Sequence, residues 1–208
     1  TVTISDVEVS SGVSVVDLVS NDDSEFSIGN VDLIGEVEID VRVRENDFVT
    51  VTVGDITMAG TATDGDSTSM MGVHVIDNAV SMITIGDITA TALNADIDFA
   101  VTDNDASSVY IGAVTLSDAE TAVVAISGNE GSLNWGRASV AIGDVSVDAS
   151  ERVTADISYN IDSSIDVGNV SLTSMSSDVN LSIGYNTDSS IDVGNLSLTS
   201  MSSDVNLD

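Results

Sequence analysis

The sequence predicts an all-β protein, a single β-solenoid (β-helix) of about eight rungs with a ~26-residue repeat. Three observations carry that prediction. Residues 157–182 and 183–208 are near-identical copies of one 26-residue unit. A Gly-Asx corner flanked by apolar positions recurs at Gly29, Gly54, Gly86, Gly112, Gly143, Gly168 and Gly194, with Ala113 in the Asx place after Gly112 and Ser5 in the glycine position of the first rung. The residues three and one before each corner, and two and four after it, are apolar at all 32 positions.

Along one rung these positions read Ile165, Val167, Gly168, Val170 and Leu172. Apolar residues at period two, most of them β-branched, specify strands with one buried face and exclude helix. Across the glycine the inward residues stand three apart, so the alternation slips, as it does at a bulge or corner. Glycine supplies either a positive φ or a close backbone approach there. The Asx that follows, as in Asp55 or Asn169, satisfies backbone groups of the turn. Residues 37–43, 95–99 and 179–185 alternate in the same way and supply a further strand to each coil. Corner spacings of 24, 25, 32, 26, 31, 25 and 26 residues place loop insertions near 63–80 and 127–138 of an otherwise undivided domain, 1–208. Eight rungs at roughly 4.8 Å per strand give a rod about 38 Å long.

The charge balance limits what such a rod can bind. With 27 Asp and 8 Glu against four Arg and no Lys, the net charge is -31. No basic patch exists to neutralise phosphates, which excludes nucleic acid and anionic membrane surfaces as partners. No run approaches the ~20 apolar residues of a spanning helix, and seven aromatics cannot furnish the girdles of a membrane barrel. The absence of Cys removes disulfides and thiol chemistry; a lone His74 removes the usual zinc and iron spheres. No catalytic residue and no organic cofactor are expected. His74 reads as an ordinary residue of the longer insertion, and Met175 and Met201 as core fillers. A chain that begins at Thr1 is compatible with a removed leader, and the expected location is extracellular or at the cell surface.

Three surface features are candidates for function. Counting back from each corner brings Asp23, Asp47, Asp105, Asp162 and Asp188 to nearly one place, so stacking sets like charges one strand spacing apart. Each such pair repels by roughly 0.9 kcal/mol in water, which calls for bridging calcium or for screening by external salt. On the outward side Thr57, Thr89, Thr115, Ser146, Ser171 and Ser197 form a hydroxyl ladder of the kind found on flat ice-binding faces, although Glu8 and Asp32 interrupt it. Trp135 and Arg137, in the second insertion, suit partner recognition, but the simpler expectation is a tryptophan folded back over a rung edge. A polysaccharide-active solenoid would need aromatic platforms and basic residues that are scarce here.

Rungs such as SSIDVGNVSLTSMSSDVNL at 163–181 resemble those of secreted bacterial repeat proteins, namely β-solenoid adhesins, curli-like fibre subunits and pilus-system proteins. The resemblance is one of architecture. Curli-type Gln positions are missing, since the chain has no Gln, and so is the Gly-Gly-x-Gly-x-Asp calcium nonapeptide. It implies a structural or adhesive role: a subunit of an extracellular filament or surface adhesin that stacks end to end with copies of itself. The rungs at 1–20 and 188–208 are the expected contact, with a notch where about seven strand positions after Leu207 have no counterpart. Ice binding and polysaccharide cleavage are the alternatives.

Overall fold

The computed structural model describes all residues except 11–12, 20, 36–37, 62–69 and 94. Each coil contributes three strands, and like strands stack in parallel into three faces. The first face holds eight strands, from Val2–Ile4 and Glu25–Ile28 through Thr50–Val53, Met82–Ile85, Ser108–Ile111, Ala138–Ile142 and Ser163–Val167 to Ser190–Val193. The second face begins at Val7–Ser10 and Val31–Gly35, and the third at Val13–Val19 and Glu38–Arg44. Two long strands, Val114–Ser127 and Val145–Ser158, run through both of these faces and join them into one 14-stranded sheet. The chain is thus an all-β solenoid, as expected, with no helix among the described residues.

Register is conserved from coil to coil because each face has a chemically uniform inner column. Ile56, Ile88, Val114, Val145 and Val170 stack in sequence on the second face, all buried. A slip of one residue would turn the whole column outward. At the second corner the column narrows to small residues, Gly35, Gly60, Ala92, then Ala119, Ala149 and Ser174.

At the first corner the glycines are required by close approach and not by dihedral angle. None of Gly29, Gly54, Gly86, Gly112, Gly143, Gly168 and Gly194 has positive φ. A Cβ on Gly86 would lie 2.9 Å from the carbonyl carbon of Gly54, and the same clash recurs at Gly54, Gly112, Gly143, Gly168 and Gly194. Ser5 has no coil of this chain beneath it. The neighbouring Asx side chains link successive coils: Asp6 Oδ1 accepts from the Asn30 N–H at 2.8 Å, and Asp87 Oδ1 from the Ala113 N–H at 2.8 Å.

The third corner holds the stack together. Asn21, Asn46, Asn78, Asn104, Asn129, Asn160 and Asn186 form one ladder, and the five central members are essentially inaccessible to solvent. Asn78 Nδ2 donates to Asn104 Oδ1 at 2.9 Å, and the five equivalent steps measure 2.8–3.0 Å. The same amide also donates to the carbonyl of Val43 in the coil behind and to that of Ile76 in its own coil. Asn46, Asn78, Asn104, Asn160 and Asn186 are each flanked by left-handed positions, such as Asp77 and Val80 around Asn78, that turn the carboxamide inward. A second ladder of Ser24, Ser81, Ser107, Ser163 and Ser189 hydroxyls closes the turn, with Val49 and Ala138 in the remaining places.

Two expectations change. Residues 63–80 are not one loop: Met70–Ile76 is a third-face strand paired with Glu38–Arg44 and Asp96–Thr102, and the part at 62–69 lies outside the described residues. Met175 and Met201 are exposed, not core fillers, because they sit in the bend after Ser174 and Ser200, where the chain has left the second face.

Replacing Asn104 with Ala strands the Asn78 amide and two carbonyls in a dry interior, at about 1–3 kcal/mol per orphaned group. Urea unfolding of Asn104→Ala should therefore lose about 3 kcal/mol, against less than about 1 kcal/mol for the exposed Asn169→Ala.

Candidate functional site

The aspartates expected to form one column divide between two. Asp47 and Asp105 lie in the bridged column Asp22, Asp47, Ala79, Asp105, Glu130, Ile161, Thr187. Asp23, Asp162 and Asp188 lie one residue later, at the left-handed position that Phe48, Val80 and Ala106 occupy in other coils. Carboxylates thus meet only in short runs, Asp22–Asp47, Asp105–Glu130 and Asp162–Asp188, separated by apolar or hydroxyl residues. No cluster of three or more metal-ligating side chains occurs among the described residues. The sequence count let the offset from the corner drift by one residue, which merged two columns into one.

The hydroxyl ladder is in register as expected, Thr57–Thr89–Thr115–Ser146–Ser171–Ser197 along the outward second face. The parallel column two residues on is interrupted between Ser117 and Asp148 by a bulge, with Asp118 at φ 57°. Thr91 and Ser117 hydroxyls bond each other at 3.1 Å.

Sequence reasoning missed a charged cluster on the third face. His74 belongs to the strand Met70–Ile76, not to a loop, and its ring bridges two coils. Nδ1 lies 3.1 Å from Asp40 Oδ1 and Nε2 lies 3.4 Å from Asp98 Oδ2. The Asp40 contact is an ion pair, and Asp40 Oδ1 is otherwise without a hydrogen-bond partner among the described residues. Arg42 pairs with Glu38 at 3.1 Å and also with Asp40, which is only 4% exposed. Arg44 grips Asp17 through two bonds of 3.2 and 2.8 Å. Gly72 makes the arrangement possible, because a Cβ there would stand 2.5 Å from His74 Cε1. A cleft of about 420 Å³ opens beside it, lined by Glu38, Arg42, Met70 and His74 among others.

Contact with Asp40, then with Asp98, raises the His74 pKa from 6.5 to about 9 against the opposing effect of burial. The ring is an imidazolium at neutral pH with both nitrogens facing carboxylates, and it offers no lone pair for proton abstraction. It serves as a cationic staple between coils.

The third irregular place is the insertion at 127–138. Ser132 and Gly136 exchange backbone hydrogen bonds of 2.7 and 2.9 Å, closing a tight turn in which Gly136 takes φ 109°. That turn throws Trp135 back along the corner to meet Phe48 edge-on, ring centroids 5.4 Å apart, while Arg137 reaches forward to the Asp188 carbonyl. Trp135 folds back over the coils yet stays 60% exposed. Phe48, Val80 and Ala106 form an apolar ridge beside it, and a groove of about 330 Å³ separates the ridge from Thr50, Met82 and Ser108 on the first face.

Comparison with protein-family models, curated proteins and solved structures returned no match.

Because the folded pKa of His74 lies above its unfolded value, its contribution is fully present below pH 6.5 and is lost as pH rises through about 9. Denaturant titrations at pH 6 and pH 10 should show the wild type losing on the order of 3 kcal/mol more than His74→Gln over that window. Equal losses in both proteins would remove the staple.

Proposed function

We propose that the protein is a non-enzymatic structural subunit of an extracellular self-assembling filament or surface adhesin, its coils stacking on those of further copies. The observation that supports this reading most is the sameness of the interface between coils. Adjacent coils join through the same three parallel strand ladders throughout, with a close-packed first corner and, up to Asn186, an asparagine step, so the interface that holds one coil to the next also fits a coil from another copy. A head-to-tail interface of this kind does not close on itself, and copies joined through it extend. The doubly engaged His74 supports a role without catalysis.

The opposing force is charge, at -31 per copy. Assembly therefore calls for screening, and the division of the aspartates into short runs favours external salt over a dedicated ion. Calcium bridging, on this proposal, is confined to runs such as Asp162–Asp188. Sedimentation and negative-stain microscopy at micromolar protein should show elongated species of uniform width that grow as sodium chloride approaches 1 M. Monomers alone at every salt concentration would refute the filament reading. Adding millimolar calcium at constant high ionic strength should leave the thermal midpoint unmoved; a rise would return those aspartates to the role of ligands.

Ice binding is the second reading, favoured by the in-register hydroxyl ladder from Thr57 to Ser197. The bulge at Asp118 and the mutual bonding of Thr91 and Ser117 weigh against it. It predicts thermal hysteresis that Thr89→Leu abolishes; the structural reading predicts none in either protein.

A further inference from the structure

We propose that the groove between the Phe48–Val80–Ala106 ridge and the first face binds a neutral saccharide chain, with Trp135 and Tyr110 as stacking platforms; this deepens the adhesin reading and rests on it.

The backbone itself argues that the ridge is used. Phe48, Val80 and Ala106 hold φ of 52°, 49° and 46°, a left-handed conformation that Asp tolerates and a β-branched residue such as Val does not. In other coils the same position is Asp23, Asp162 or Asp188. Three successive coils thus accept conformational strain to line the groove with apolar groups, Phe48 exposed and Val80 and Ala106 half-buried, although the cheaper residue is at hand in the same repeat. The edge contact of Phe48 with Trp135 offsets part of that strain, and strain held along a surface groove marks a place that serves something besides folding.

The chemistry of the groove selects the ligand class. Its lining residues, Thr50, Ser81, Met82 and Ser108 together with the ridge, include no ionisable side chain, in a chain where 19% of residues are charged. The surrounding field repels anions, and the groove has no carboxylate with which to hold a cation, so the occupant is uncharged. Trp135, Tyr110 and Phe48 are 60%, 57% and 43% exposed: Phe48 lines the groove, Trp135 meets it edge-on, and Tyr110 follows Ser108 by two residues on the outward side of the same strand. Exposed rings with hydroxyls alongside suit a molecule that has apolar C–H faces and hydroxyl edges, which is a pyranose. The groove runs across three coils, so it follows a chain of sugars and not a single one.

Trp135 is the only tryptophan, so its emission reports on this site alone. The experiment titrates the full chain with cellohexaose and hexa-N-acetylchitohexaose, with polygalacturonate as the charged comparison, by fluorescence and calorimetry. A saturable change with a neutral hexasaccharide, and none with polygalacturonate, is expected. Trp135→Ala and Tyr110→Ala should each weaken binding roughly tenfold. Phe48→Asp installs the residue that the repeat has at Asp23 and keeps the left-handed backbone. With its fold checked by circular dichroism, it should abolish binding by placing a charge in the groove. No saturable heat with either hexasaccharide, or binding that survives Phe48→Asp, overturns the proposal. So does an emission change driven by protein concentration alone, which would make the ridge a contact between copies. Filaments of unchanged width in Trp135→Ala and Phe48→Asp separate a failure of the saccharide site from a failure of the filament reading.

Discussion

A carboxamide can donate along one direction and accept along the opposite one, and a column of them spaced one strand apart becomes a continuous hydrogen-bonded chain. The solenoid depends on that property at its third corner. The chain must reverse there in a few residues, and the turn aims one side chain into the dry interior. An apolar residue would fill the space but leave the Val43 and Ile76 carbonyls with fewer donors. Asparagine satisfies them and its two neighbours at once, and all its partners but the Ile76 carbonyl are supplied by the adjacent coils. Each coil is completed by the next one, which is why a coil has no reason to fold alone.

The in-register stacking that the ladder enforces fixes much else. It brings the first-corner backbones so close that only glycine fits above Ser5. It also turns every repeated acidic residue into a column of like charge, and the chain answers by variation: acid, apolar and hydroxyl residues alternate down the outer columns of the third corner. On the third face the few cations are set diagonally among carboxylates, Arg44 on Asp17 and His74 between Asp40 and Asp98. The neutral ridge around Phe48 departs from this acidic surface, and its apolar residues stand where the repeat elsewhere has aspartate.

The inner columns and the glycine corner were legible in the sequence because they recur by residue type at a fixed period. The asparagine ladder was equally regular, standing eight residues before the corner at Asn21, Asn46, Asn78, Asn104, Asn160 and Asn186, and farther only at Asn129, where the second insertion intervenes. It went unread because abundant aspartates at six or seven residues before the corner, such as Asp23 and Asp47, masked it. Burial of a polar residue cannot be inferred from polarity, and no spacing rule marks a left-handed turn at Val80. The His74 cluster was hidden for a different reason: its partners, Asp40 and Asp98, are diagonal neighbours on other coils, 34 and 24 residues away. Met175 and Met201 misled because a shared repeat position fixes equivalence without fixing which way the side chain points.

Native-state hydrogen exchange of the side-chain amides, resolved by NMR, tests the central claim most directly, since it separates a ladder that bears the stack from asparagines that merely recur. The account predicts slow exchange, limited by opening of neighbouring coils, for the amides of Asn46, Asn78, Asn104, Asn129 and Asn160, and fast exchange for those of Asn169 and Asn195 at the exposed first corner. Uniformly fast exchange across both sets would contradict it.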